Sequence, residues 1–327
     1  MSMLEFYQQH AISPVKQDVS DLDAHFARRA HLYRSLGFWP MSIEGKCVLE
    51  IGPGTGENAL YTISLNPSLY AALEPNADAF SKLCAALHAS NVPTRIMPYR
   101  LEDYRDETYD VVLCEGLLGL CGSDPKALLE HVAKHVKVGG VLVITCIDAI
   151  SDCAEVLRRA MAQKYINSSM SLQEKVDALR PIFAPHLATL KGMTRSVDDW
   201  ILDNLLNPAS IGPTFSIPEA LTQLEGRFEV LGCNPRFLID WRWYKEAEAG
   251  NQWAIDSYWR NCHNLYDYRT VEPERSETEN RTLMETCALL RREVAALERG
   301  TLMGPSFQPV DSAWFGRGQQ YLSLVRV

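Results

Sequence analysis

The sequence predicts an α/β protein built on a doubly wound, mostly parallel sheet, and three observations carry that prediction. From residue 46 to 148, short apolar runs of strand length alternate with segments of helical period, the pattern that right-handed βαβ units impose on a chain. The first apolar run ends at Glu50-Ile51 and is followed by glycines at alternate positions, Gly52, Gly54 and Gly56. The second ends on a carboxylate, Glu74, followed by Pro75-Asn76.

Taken in order, Lys46 to Ile51 reads as a short buried strand and Glu57 to Leu65 as the helix after it. The glycines fall in the turn between them, where a missing Cβ permits unusual φ and lets a ligand reach backbone N–H groups at a helix N-terminus. The spacing is Glu-x-Gly-x-Gly-x-Gly; the third glycine comes one residue too early for the dinucleotide fingerprint. Glu50 puts a carboxylate where a cationic amino-acid group can be held. Leu69 to Glu74 is the second strand, and an acid at its end suits a ribose diol in either an adenosylmethionine or a nicotinamide site. Thr94 to Pro98 is a third strand, followed by Leu101-Glu-Asp-Tyr104. Tyr109 to Gly116 is a fourth, with Glu115 at its end. Pro125 to Lys137 is a helix with Leu128, Leu129, Val132, Ala133 and Val136 on one face, which leaves His131 and His135 in solvent. Val136 to Thr145 supplies a glycine turn and the fifth strand.

Over residues 46–148 this set resembles the ordered motifs of the class I S-adenosylmethionine (SAM)-dependent methyltransferases, with Val138 where their fifth-strand turn carries proline. The resemblance implies SAM as cofactor. Glu50 and Gly52, Gly54 and Gly56 would meet its methionine end, and Glu74, with Pro75 beside it, would meet the ribose. Leu101 and one of Glu102 and Asp103 would read the adenine; both acids match the family pattern. It also implies a seven-stranded sheet whose last strand is antiparallel. Gly226 to Cys233 reads as strand six and Gln319 to Val327 as strand seven, with a helix from Ile217 to Leu224 opened by Ser216 and Pro218.

The chain then divides into an N-terminal helical lid segment (1–45), a Rossmann-like cofactor core (46–150), and a helical insertion (151–215). The core helix and strand six (216–234), a second helical insertion (235–317) and strand seven (318–327) follow. The insertions are expected to form a cap. In the first, Pro181 and Pro185 are expected to end a helix begun at Leu172. In the second, Ser276-Glu-Thr-Glu279 is a capping box. It opens a helix over 277–299 with Leu283, Cys287, Leu290, Val294 and Leu297 on one stripe, closed by Gly300 and suited to packing on its own chain or in a homodimer. In the lid segment Leu22, Phe26, Ala30, Tyr33 and Leu36 recur at helical intervals, with His25, His31 and Tyr33 placed to line a lid.

Composition bounds the partners. Lysine and arginine number 32 against 41 acids, a net charge of −9, so the basic face that a nucleic-acid binder needs is missing. No apolar run is long enough to cross a membrane. The nine cysteines are scattered with no Cys-x-x-Cys, which argues for reduced thiols, a cytoplasmic setting and no structural zinc. No cluster of metal-ligating residues is placed. Because the SAM sulfonium is already activated, methyl transfer asks chiefly for alignment, exclusion of water and removal of a proton from the acceptor. Glu115 is expected both to border the cofactor and to be the first candidate to orient or deprotonate that acceptor. His263 and Tyr258 are candidates from the aromatic stretch Trp241-Arg-Trp-Tyr244 through Tyr268. The expected function is methylation of oxygen, or with less support nitrogen, on a small organic metabolite. Methylation of a protein side chain and non-catalytic SAM binding are the alternatives.

Overall fold

The computed structural model describes residues 3–10, 12, 17–105, 107–119, 124–190, 193, 195–298 and 315–327. Two helices, α1 (Met3–His10) and α2 (Leu22–Ser35), precede the sheet. Then β1 (Cys47–Ile51), α3 (Glu57–Ser64), β2 (Leu69–Leu73), α4 (Ala77–Leu87), β3 (Thr94–Met97) and β4 (Tyr109–Cys114) alternate. They are followed by α5 (Pro125–Lys134) and β5 (Val136–Cys146). Helices α6 (Cys153–Ala162), α7 (Leu172–Leu187) and α8 (Val197–Trp200) come next, and a π-helical turn, Ile201–Leu206, continues α8. The chain ends with α9 (Ile217–Gln223), β6 (Phe228–Asn234), α10 (Gln252–Asn261), α11 (Glu277–Glu298) and β7 (Gln320–Arg326).

The seven strands lie in the order β3-β2-β1-β4-β5-β7-β6, with β7 antiparallel to both neighbours. Strand direction puts alternate residues on opposite faces, and the apolar residues sort accordingly. Leu49, Ile51, Leu73, Val112, Cys114, Leu142 and Ile144 face the core shared with α5, α9, α10 and α11. Val48, Tyr70, Ala72, Val111, Leu113 and Val143 face the core shared with α2, α3 and α4. Both neighbours of β1 run parallel to it, so the crevice where strand order reverses opens at the ends of β1 and β4.

Three expectations are corrected. Pro181 and Pro185 lie inside α7 and do not end it. Each removes one intrahelical bond, but Val176, Leu179, Phe183 and Leu187 bury the helix in a separate core with Trp200, Ile201 and Leu205, and packing outweighs propensity. His135 is buried, its Nδ1 2.8 Å from the carbonyl of Glu107. In α2, His31 and Leu22 are exposed, and the buried face is His25, Arg29 and Tyr33. Helix α11 starts at its capping box, Ser276 N–H donating to Glu279 and Glu279 N–H to Ser276. Cys287 and Val294 are buried and Leu283, Leu290 and Leu297 half-buried; Arg299 and Gly300 lie outside the described residues. Among those residues no helix is long and apolar enough to cross a membrane.

Candidate functional site

A cavity of about 450 Å³ occupies the β1/β4 crevice. Its floor is the turn after β1. Gly52 and Gly54 hold φ of +69° and +61°, values that exclude most side chains, and their backbone passes directly beneath the cavity. Gly56 also has positive φ, but it does not line the cavity: a Cβ there would meet Leu83 Cδ1 at 2.6 Å. Its smallness serves the packing of α3 on α4, so the expected ligand contact at Gly56 is corrected.

Buried carboxylates ring the floor. Glu50, at the end of β1, is nearly inaccessible and accepts a hydrogen bond from the Tyr70 hydroxyl at 2.7 Å. Burial, together with the neighbouring Glu115, pushes its pKa up to about 7 against the pull of Tyr70 and Arg29. Glu74, just past β2, accepts from the N–H of Gly54 and of Asn76, both at 2.8 Å. Burial again pushes it up to about 7, and the two backbone donors only partly offset the effect. Glu115, just past β4, receives both terminal nitrogens of Arg29, at 2.7 and 2.8 Å, in a largely buried pair.

Eight of the ten residues expected around the cofactor line this one cavity: Glu50, Gly52, Gly54, Glu74, Pro75, Leu101, Glu102 and Glu115. Gly56 and Asp103 do not; Asp103 is exposed at the end of the short 3-10 turn Leu101–Asp103, so of the two alternatives only Glu102 lines it. The candidates from the aromatic stretch are elsewhere. Tyr258 is fully enclosed and donates to Asp148 at 2.8 Å. His263 is buried beside Asn264, and neither lines the cavity. Both are buried in the α10 region, and Trp241 and Tyr244 are 82% and 73% exposed.

A family model described as a methyltransferase domain matches residues 24–184, the stretch that holds the turn, the carboxylates and β1 to β5. That match is to a methyltransferase domain, in agreement with the class I motifs of the sequence, and it points to SAM as the cofactor. Solved structures similar to this chain include an S-adenosylmethionine-dependent methyltransferase from Mesorhizobium loti: 16% identity, TM-score 0.31, covering 35% of this chain and 56% of that one. PKMT2 from Rickettsia typhi is 12% identical with a TM-score of 0.47, covering 92% and 52%. The N-methyltransferase NodS from Bradyrhizobium japonicum WM9, in complex with S-adenosyl-l-homocysteine, is 18% identical with a TM-score of 0.35, covering 44% and 74%. The chain spans 56%, 41% and 52% of the lengths of the first three solved structures it matches. No curated protein matches the chain.

Several residues of the site are absent from the motif reading. Arg29 reads in the sequence only as half of a basic pair, yet His25, Arg29 and Tyr33 recur every four residues. That polar spacing marks the buried face of α2 as well as the apolar stripe does. Tyr70 looks like an ordinary strand aromatic. Met3, Leu4, Glu5 and Tyr7 of α1 form one wall of the cavity, and about two helical turns leave no periodic signal long enough to read.

Proposed function

We propose that this protein binds SAM in the β1/β4 cavity and transfers its methyl group to an oxygen, or with less support a nitrogen, of a small organic acceptor. The observation that carries the reading is the charge of the cavity. Six glutamates line it (Glu5, Glu50, Glu57, Glu74, Glu102 and Glu115) against one arginine, Arg100. A sulfonium and an ammonium are attracted by such a lining, whereas the pyrophosphate of a nicotinamide cofactor is repelled. The positive-φ glycines also suit the site, since the floor is bare backbone where a ligand must come close.

In this reading Glu50 faces the amino-acid end of the cofactor. Glu74 accepts the ribose hydroxyls, with Pro75 against the ring, and Leu101 and Glu102 border the adenine. When bound, SAM supplies an electrophilic methyl group. The protein's own work is then to orient the acceptor and exclude water. Glu115 sits at the end of β4, on the acceptor side. With two guanidinium donors of Arg29 on its oxygens, it is better suited to orienting an acceptor and fixing the local field than to taking a proton. A cavity of this size, once shared with a cofactor, favours a small acceptor.

Titration calorimetry tests the reading. SAM and S-adenosylhomocysteine are expected to bind in the micromolar range and NAD not at all. Gly54→Val, which places a β-branched side chain at positive φ, is expected to abolish binding. Tight SAM binding by that variant, or NAD binding by the native protein, would falsify the assignment.

A further inference from the structure

Among the described residues, nothing from 129 onward lines the cavity, so the described parts of the helical insertions do not border it. They reach it through α1. On one side α1 supplies the wall Met3, Leu4, Glu5 and Tyr7. On the other, the Tyr7 hydroxyl donates to Asp203 Oδ1 at 2.5 Å, and Asp203 Oδ2 receives Arg195 at 2.7 Å. Asp203 lies in the middle of the π-helical turn, whose carbonyl at the same residue accepts the Ser210 hydroxyl at 2.7 Å. Such turns widen a helix at a cost and persist where the surroundings impose them. Here the imposing contact is deep: Arg159, 2% exposed, donates to the carbonyls of Asn204 and Asn207 at 2.8 and 2.9 Å and pairs with Glu298 of α11 at 2.7 and 2.8 Å. The partner of Tyr7 therefore sits on a rigid support.

Helix α1 has eight residues, of which Phe6 is buried. An isolated helix of this length is not stable in water, so its position depends on its contacts with the rest of the chain. The hydrogen bond from Tyr7 to a carboxylate already paired with Arg195 is one of these and of a strong kind.

We propose that α1 is a gate on the cavity, latched shut by the Tyr7–Asp203–Arg195 chain, so that the helical insertions set how fast the cofactor and its demethylated product exchange. The proposal rests on the cofactor reading above. While the latch holds, the wall is in place in both the free and the loaded protein. Ligand enters and leaves only in the fraction of time that α1 is open. Weakening the latch raises that fraction equally in the two states, so both rates rise together and affinity stays where it was. A residue that merely touches the ligand behaves otherwise, because its loss speeds dissociation alone.

Association and dissociation of radiolabelled S-adenosylhomocysteine, followed by rapid filtration on the full chain, separate these cases. For Tyr7→Phe, which keeps the ring and removes the donor, both rates are expected to rise about tenfold, with Kd changed by less than about twofold and the melting temperature of the ligand-free protein lowered by no more than about 4 °C. Asp203→Asn, which leaves the phenol in place, is expected to act in the same direction, and it replaces Tyr7→Phe as the test if that variant does not fold. Unchanged rates in both variants would overturn the gate. So would a rise in dissociation alone with Kd weakening in proportion, which makes Tyr7 a ligand contact. A native protein that holds no S-adenosylhomocysteine would bring down the cofactor reading and the gate with it, whereas normal binding with unmoved rates removes the gate alone.

Discussion

The strand ends around β1, β2 and β4 and the helical annex of α6, α7 and α11 both bury charge, but in opposite ways. At the strand ends, Glu50 and Glu74 are buried with hydrogen-bond donors and no cation of their own, and Arg29 is spent on Glu115. In the annex every deeply buried arginine has its acid: Arg158 with Glu155 at 2.6 Å, Arg159 with Glu298 at 2.7 Å, and Arg291 with Asp152. The sheet side holds unbalanced negative charge that a cationic ligand can neutralise. The annex is already balanced, and its charges hold helices together. Buried charge without a partner marks a site; buried charge with one marks structure.

The largest effect should come from unbalancing the annex. Arg291 also donates to the carbonyls of Ser210 and Gly212, so Arg291→Met strands Asp152 and two carbonyls together. A loss of about 3–5 kcal/mol is expected, seen as a fall in melting temperature of roughly 10 °C. Adding Asp152→Asn should recover part of it. A loss under about 1 kcal/mol would mean that the annex does not depend on its charge balance, and the contrast would collapse.

Removing an acid from the strand ends should do the reverse. Glu74→Ala is expected to weaken SAM and S-adenosylhomocysteine binding by about 1.5–3 kcal/mol through loss of charge-assisted hydrogen bonds. The ligand-free protein should keep its melting temperature, because a buried and poorly solvated carboxylate is removed with it. Calorimetry alongside a thermal scan checks both halves. A large drop in stability with affinity intact would make Glu74 a structural brace for the Gly54 turn.

This contrast also explains how far the sequence could be read. The glycine turn and the acids Glu50, Glu74 and Glu115 at the cavity were legible because each is written within a few residues of a strand end, and strand ends converge at the crevice by topology alone. Pairs such as Arg159–Glu298 and Arg291–Asp152 join residues far apart in the chain. Nothing local distinguishes those arginines from surface ones. Tyr258 and His263 misled for a related reason: an aromatic with a polar tip has the same spelling whether it faces a ligand or closes a core, and Asp148, the residue that decides for Tyr258, lies on a different element.

The smallest expected effect is one of pH. Glu50 and Glu74 have folded-state pKa values raised to about 7 from an ordinary 4.5. Between those values the folded protein holds protons that the unfolded chain has released. The contribution of these two groups to stability is therefore present at low pH and declines as pH rises from about 4.5 through 7. Ligand binding should run the other way. A cofactor that requires the carboxylate is helped by ionisation, and from pH 6 to pH 8 its affinity should rise by roughly tenfold for each carboxylate that must ionise. Isothermal titrations across that range, at fixed ionic strength, check it. Affinity that falls with rising pH would show that the acids bind as neutral donors and would blur the line between the two regions.

The position of β7 has a consequence for how the chain is made. Of the seven strands it is the last to leave the ribosome, yet it lies between β5 and β6 in the finished sheet. Until it arrives, β6 has no strand beside it, and β5 presents an open edge over Val141–Cys146. The parallel half around the cavity can pair as it is synthesised, while the other edge must wait, exposed to wrong partners. During that interval the segment from 252 to 298 is already available to lay α10 and α11 over the waiting face.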